Sequence, residues 1–529
     1  MIDQKRHNPW YVSGVLCAAI VLLFAVAAAT VGSNDLLHWF MIPVLLCGIV
    51  IGADAASWIT GEVDVFDPIG ILGLFGVHFF LLAPMLHVSC GYWAEETQPP
   101  ADWRPWLGAM AALNLLGLLV YRFARAYCGP GRPSASPVAA VWRVRPGAWG
   151  WWFGGALLLA GALQAWIYAS YGGLWGYVSA VQRAEHSFLG SSWIAMVADS
   201  FPILAWMGYA ILLRRRPAPS WPTLLCALAV FAALKLLFGG LHGSRSNTIF
   251  ALFWAVGIVH LCIRPVPKKL ILGGTAMLVL FMYVYGFYKS GGMEGLQRAL
   301  ESSDARAQME EETHRPLRAT VLGDLGRSDI QAAVLYRLTR PQSDYQLGLG
   351  RSYLGGLLTI LPGPLWRDRP PTKVREGTEA LYGRGSYRER PLNATYDKDR
   401  FLGMSVAVYG LAGEAMLNFG PLAAPFSFAV LGLAVGRVRR WAAAWRRRDV
   451  RWLLMPFLVN LCLVVLIGDS DNVVAFVMGA GLIPTLVLAM ASQRLWVNEA
   501  PGQVCAGTRE SGLVPDAYAA ARPRPLEGY

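Results

Sequence analysis

Apolar runs of about 18 to 23 residues recur along the chain, each the length a helix needs to cross roughly 30 Å of hydrocarbon. About twelve can be read, near 11–32, 36–56, 68–90, 105–122, 149–170, 193–213, 221–239, 246–263, 269–288, 414–436, 452–468 and 472–491. No single water-soluble core hides so much apolar sequence: of 529 residues, 55% are hydrophobic, 15% are charged and 21 are Trp, well outside the usual soluble balance. The expectation is an all-α polytopic membrane protein. Its first run follows Lys5 and Arg6 and is longer than the apolar core of a signal peptide, so it is read as a retained helix.

Orientation follows from the loops in which Lys and Arg collect, because basic loops stay cytoplasmic. With the N-terminus inside, alternate loops carry Arg122, Arg125, Arg132, Arg143 and Arg145, then Arg214-Arg215-Arg216, then Arg264, Lys268 and Lys269, and finally the basic stretch 437–451. The short loops on the other side hold only Arg104, Arg183 and Arg245. Both termini are therefore expected in the cytoplasm. The chain divides into a first bundle of about nine helices (1–288), a large extracytoplasmic loop (289–403), three last helices (404–491) and a cytoplasmic tail (492–529) whose Pro, Gly and Ala content reads as disorder.

The large loop carries 18 Lys and Arg against 15 Asp and Glu. A connection this long is functional or disordered, and its interior points to partial order. Residues 317–338 place apolar side chains at roughly helical spacing, 302–313 read as a solvated helix, and 353–360 form a short apolar run suited to the membrane interface. Four prolines in LPGPLWRDRPP point to an extended, non-helical path past Arg367, Arg369, Lys373 and Arg375. Eight dispersed cysteines make no disulfide framework outside. Neither CxxC pairs, paired-histidine zinc spacing nor a P-loop is present, so no metal and no cofactor are expected.

The stretch GGLHGSRSNTIF, Gly239 to Phe250, sets Arg245 at the outer lip of a membrane helix, against the general charge asymmetry. Gly239, Gly240 and Gly243 permit close backbone approach. Ser244, Ser246 and Asn247 can cap the helix and leave its N-terminal N–H groups facing an anion. An arginine there adds a planar fork that grips two phosphate oxygens. Other helix ends supply polar groups at the same level: Asp199, Lys235, Glu414, Asn418, Asp469 and Asp471. Intramembrane ionisable groups usually face a bundle interior or a wet cavity. Taken singly, Lys235 reads as a residue that snorkels to the headgroups, and Asp469 with Asp471 reads equally as a solvated turn.

Several segments resemble the Wzy-type oligosaccharide repeat-unit polymerases, the O-antigen polymerase family. They are DVFDPIGILGLFGVHFFLLAPML, YGGLWGYVSAVQR, GSRS, LPGPLWRDRP, GEAMLNFGPLAAP and IGDSDNVVAF. Each is weak alone; their order around the large loop makes the combination specific. The RX10G spacings from Arg315 and Arg337 carry no weight, because 56 glycines yield about two such hits by chance.

The resemblance implies a glycosyltransferase at the outer face of a bacterial inner membrane. It would move a growing glycan from undecaprenyl pyrophosphate onto the next lipid-linked repeat unit. The surrounding membrane lipid, a chain-length regulator and a flippase are the partners such a role involves, and no nucleic acid is expected. The candidate catalytic residues are Arg245, Arg327 and Arg351, which with Arg367 would stabilise the leaving pyrophosphate, and His242 and Glu414 as candidate bases. Asp324 and Asp329 are further carboxylates near basic surroundings. Arg367, Arg369, Lys373, Asp324, Asn418 and Asp469 are the candidate substrate-binding residues. An O-antigen ligase shares this donor chemistry and differs in acceptor. A lipid-linked oligosaccharide flippase would call for internal repeats with broken helices at the midplane, and an envelope scaffold would use the loop arginines as a binding surface.

Overall fold

A computed structural model describes residues 8–31, 35–93, 99–129, 138–182, 192–214, 216–242, 245–313, 317–361, 370–387, 405, 407–446 and 449–498. Ten helices come first: α1 Pro9–Val31, α2 Met41–Thr60, α3 Pro68–Ser89, α4 Arg104–Cys128, α5 Pro146–Ser170, α6 Leu174–Gln182, α7 Trp193–Leu213, α8 Trp221–Leu237, α9 Arg245–Ile263 and α10 Lys268–Glu301. Four short ones come next, α11 Ser303–Thr313, α12 Ser328–Thr339, α13 Arg351–Leu358 and α14 Lys373–Tyr382. The last four are α15 Gly410–Phe419, α16 Ala423–Ala444, α17 Val450–Ile467 and α18 Ser470–Met490.

Among the described residues, nine helices are long and apolar enough to cross a membrane: α2 to α5, α7, α9, the Lys268–Tyr288 part of α10, α17 and α18. The chain is an all-α membrane protein. Three further expected spans also hold helices, α1 and α8 with shorter apolar stretches and α16 carrying Arg437, Arg439 and Arg440 before its end at Ala444. Starts are set by familiar devices. Asp67 accepts from the Ile69 N–H ahead of Pro68, and Ser220 accepts from the Thr223 N–H ahead of Pro222, so a side-chain cap and a first-turn proline act together.

Glycines let the helices approach closely. Gly117 faces Phe428, Gly432 lies on the Tyr121 carbonyl and Ala124, and Gly436 meets Cys128, so α4 and α16 run side by side in the same direction. A second core gathers Leu204, Trp254, Val259 and Leu453 from α7, α9 and α17.

The large connection is woven into one end of this bundle. Tyr336 of α12 sits edge-on to Trp106 at the start of α4, with ring centroids 5.1 Å apart, while α13 packs on the first turns of α18. Several expectations are corrected here. Helix α10 continues past residue 288 to Glu301 through a kink at Gly292, where φ is 65°, a value glycine adopts freely. The run 317–338 is a π-type turn, Ala319–Asp324, and then α12, interrupted at Arg327. The span expected at 414–436 is two helices, because Gly420 (φ 86°) ends α15 and Pro421 precedes α16. The solvated helix is present as α11, with Met309 buried on one side.

At the far end of α18, strand β1 Val138–Val144 pairs antiparallel with β2 Ser492–Asn498, Val141 opposite Leu495. Disorder was expected from residue 492. Instead the first seven residues of the tail complete a ladder, and Asp449 holds it by accepting from the Trp142 N–H at 3.2 Å. The rest of the tail, 499–529, lies outside the described residues.

Two measurements check this arrangement. A Cβ on Gly432 would stand 2.5 Å from the Tyr121 carbonyl oxygen, whereas one on Gly154 would meet no atom within 4 Å. Gly432→Val is expected to cost about 1–3 kcal/mol by overpacking and to lower the melting temperature in detergent, with Gly154→Val close to wild type. Helix α18 has 21 residues and spans about 30 Å at roughly 1.5 Å per residue. Cysteines at the exposed positions Arg494 and Asp344 should therefore react with an impermeant maleimide from opposite sides of an intact membrane. Reaction of both from one side would contradict the arrangement.

Candidate functional site

The site starts from a backbone irregularity. Arg327 precedes α12 with φ 68°, a left-handed conformation that costs a non-glycine residue about 1–2 kcal/mol. Strain of this kind persists only where surrounding contacts over-determine it. One guanidinium N–H donates to the Gly323 carbonyl at 2.9 Å, and Nε is buried without a hydrogen-bond partner among the described residues. Burial pulls the Arg327 pKa below the usual guanidinium value, and the neighbouring carboxylates of Asp324, Asp469 and Asp329 oppose that shift. An arginine stays charged through such a change.

Arg245 is the first residue of α9 and reaches the same place. Its NH2 lies 2.6 Å from Asp324 Oδ2, and its NH1 donates to the Met282 carbonyl of α10 at 3.3 Å. The fork expected to hold an anion is thus engaged by a carboxylate, and that carboxylate is about a third exposed, 35%. His242 closes a 3-10 turn just before α9, but its side chain lies outside the described residues, as do Gly243 and Ser244. Gly239 serves a different neighbour from the one expected. A Cβ there would stand 2.5 Å from Asp199 Cγ, so the glycine admits the Asp199 carboxyl group.

Lys235 corrects the snorkelling expectation. It is buried at 4% exposure and donates to the Phe238 and Asp199 carbonyls at 3.1 and 3.4 Å. The stem turns inward to the Phe238 carbonyl, left without a helical partner at the end of α8, and to the Asp199 carbonyl of α7, where that helix is interrupted at Ser200.

Glu414 and Asn418 fasten three elements together. Glu414 Oε1 accepts from the hydroxyls of Ser352 and Ser470, each at 2.6 Å, and Oε2 accepts from the Ser470 N–H at 2.6 Å. Asn418 donates to Ser352 Oγ at 2.7 Å and accepts from the Gly350 N–H at 3.0 Å. Both carboxylate oxygens of Glu414 are therefore occupied, which makes it a clamp between α13, α15 and α18.

Next to this clamp Lys373 forms a buried ion pair with Asp469, and Asp471 stands 3.5 Å from the same ammonium. Asp469 Oδ1 also accepts from the Tyr409 and Gly410 N–H groups at 3.0 and 2.8 Å. The solvated-turn reading of Asp469 is overturned, since the residue is fully buried. Three residues along α14, Glu376 takes a two-pronged contact from Arg351 at 2.8 and 3.2 Å, with Tyr345 OH at 2.9 Å. The Glu376 hydrogen bond raises the Arg351 pKa above its usual value.

The structure thus gathers Arg245, Asp324, Arg327, Asp469, Lys373, Arg351, Glu414 and Asn418 into one continuous polar layer. Arg367 and Arg369 fall in 362–369, outside the described residues. Glu376, Tyr345, Ser352, Ser470 and His87 were not anticipated. His87 Nδ1–H donates to the Tyr92 carbonyl at 2.8 Å, and Nε2 lies 3.8 Å from Asp329 Oδ1. Its partner is far along the chain, and no local spacing signals the pair.

No family model, curated protein or solved structure matches the chain. The layer offers a partly exposed carboxylate on one arginine, a second arginine with an unused donor among the described residues, and a buried ion pair beside them.

The support is testable by a double-mutant cycle on thermal unfolding. Lys373→Met leaves Asp469 buried without its cation and is expected to cost about 3–5 kcal/mol. Adding Asp469→Asn should recover part of that loss, and strict additivity would show that the two side chains do not depend on each other.

Proposed function

We propose that this protein is a membrane glycosyltransferase that polymerises polyprenyl-pyrophosphate-linked oligosaccharide repeat units into a surface polysaccharide at the outer face of the bacterial inner membrane. Both termini are cytoplasmic in this reading, with twelve spans and the large connection outside. The observation that supports it is the Arg245–Asp324 pair beside the partly unpartnered Arg327. A pyrophosphate displaces the partly exposed Asp324 carboxylate from Arg245 and lies between the two guanidinium groups.

The bond changes are simple. The bond from the anomeric carbon to the pyrophosphate oxygen breaks, the acceptor hydroxyl oxygen bonds to that carbon, and the negative charge left on pyrophosphate is held by the arginines. The freed Asp324 carboxylate takes the hydroxyl proton. Glu414, expected as a base or catalytic group, serves the site as its clamp. Arg351, Lys373, Asn418 and Asp469 hold the layer in place, and the Arg367–Arg369 segment supplies further cations to the lipid-linked substrate. The glycosyl pyrophosphate is already activated, so the transfer needs no nucleotide.

The test uses full-length protein in vesicles with lipid-linked repeat units. Arg245→Ala removes a charged contact worth about 1.5–3 kcal/mol, and polymerisation should fall roughly ten- to a hundredfold. Arg245→Lys should recover part of it, since an ammonium lacks the fork. Asp324→Asn frees Arg245 without leaving a base, so donor KM should fall together with kcat. Arg104, at the same end of the bundle in an exposed pair with Asp102, is the control, and its alanine variant should be nearly normal. Unchanged chain-length ladders from Arg245→Ala at matched protein level would refute the proposal, and polymer left on its carrier lipid in a deletion strain would assign a ligase instead.

A further inference from the structure

A second irregularity lies in the turn ahead of α13. The last carbonyls of α15 have no following helical turn to bond them, and the connection supplies the donors. Gly348 N–H reaches the Leu417 carbonyl at 3.1 Å and Leu349 N–H reaches the Asn418 carbonyl at 2.9 Å. Asn418 returns the contact by accepting from the Gly350 N–H at 3.0 Å. Held at three successive residues, the turn puts Leu349 at φ 49°, in the left-handed region that a leucine rarely adopts.

The side chain gains no packing from that conformation, for Leu349 is 77% exposed. Water is a poor surrounding for such a group, and its neighbours are equally apolar. Leu347 and Phe419 are exposed beside it, with Leu347 Cδ1 near Gly420 and the Phe419 ring near Gly350 and stacked on Tyr353.

This patch continues into a stripe on α16. Leu422, Phe426, Val430 and Leu433 are all exposed and recur at three- and four-residue intervals, so they share one helix face. Depth along the bundle is fixed by the neighbouring helix. Phe428 faces Gly117 and Gly432 faces Tyr121, so the stripe lies level with Leu116, Leu119 and Phe123, the exposed apolar face of membrane-spanning α4. Leu347, Leu349 and Phe419 prolong that face past the start of α16. Two residues after Leu349, Arg351 is partly exposed in its pair with Glu376, so the apolar face gives way to polar groups at the level that suits a headgroup layer.

We infer that the Leu347–Leu349 turn, with Phe419 and Leu422, is inserted at the acyl-chain boundary of the bilayer leaflet on this side of the bundle. The large connection is thereby anchored to lipid as well as to the helices. This inference does not depend on the reaction proposed above, and a protein of any activity with this turn would sit in the membrane in the same way.

Site-directed spin labelling in lipid nanodiscs tests it, on the full chain with its other accessible cysteines replaced by serine. A nitroxide at Leu349→Cys should collide more often with oxygen, which partitions into lipid, than with a water-soluble nickel complex. At the exposed Asp344→Cys the order should reverse. Leu347→Cys carries the same readout without left-handed backbone, so a folding failure at 349 leaves the test intact. Nickel accessibility at 347 and 349 equal to that at 344 would place the turn in water and overturn the inference. Low accessibility to both reagents, with spin–spin broadening between copies, would assign the patch to a second copy of the chain and overturn it equally.

Discussion

The layer at the loop end of the bundle depends on one buried ion pair. Lys373 and Asp469 come from elements almost a hundred residues apart and meet where water is excluded. Burying two charges is costly unless each is fully partnered, and the Tyr409 and Gly410 N–H groups complete Asp469. The pair therefore fixes four things at once: the start of α14, the approach to α15, the turn before α18 and the environment of Arg327. Arg351 gains its place indirectly, since Glu376 is carried by the same helix as Lys373.

This support explains why a strained Arg327 is tolerated beside so many carboxylates. Asp324, Asp329 and Asp469 all act on its guanidinium, yet the direct contact of Asp324 is with Arg245. The arrangement keeps one arginine matched by a partly exposed acid and the other short of a hydrogen-bond partner among the described residues. In the proposed reaction an entering pyrophosphate would exchange with Asp324 at Arg245 and find the spare Arg327 donor already in place beside it.

Much of the membrane architecture was legible because it depends on length and hydropathy alone: helices stand in every apolar run, and Pro68 with Asp67 or Pro222 with Ser220 announces its start. The polar layer was legible only as separate residues. That Glu414 is saturated by Ser352 and Ser470 and that Asp469 is buried depend on partners 56 to 96 residues distant, and Lys235 turns inward to Asp199, 36 residues away, as well as to nearby Phe238. Hydropathy also missed the break at Gly420, because an apolar run looks continuous whether or not its backbone is. The strand 492–498 was hidden by the Pro- and Gly-rich composition of the remaining tail, and its pairing partner lies some 350 residues earlier.

That pairing has a consequence for the order in which the molecule is built. Strand β1 is synthesised long before β2, and the helices from α5 to α18 are inserted between them. Until residues 492–498 emerge, the ladder groups of β1 have only water or a chaperone to bond. The ribbon is thus a closing stitch, formed after the last helix is in place and holding that helix to α5 through Arg145, which donates to the Met490 carbonyl. A nascent chain stalled before this point carries an open strand edge at the surface of the bundle, a template for pairing with another chain.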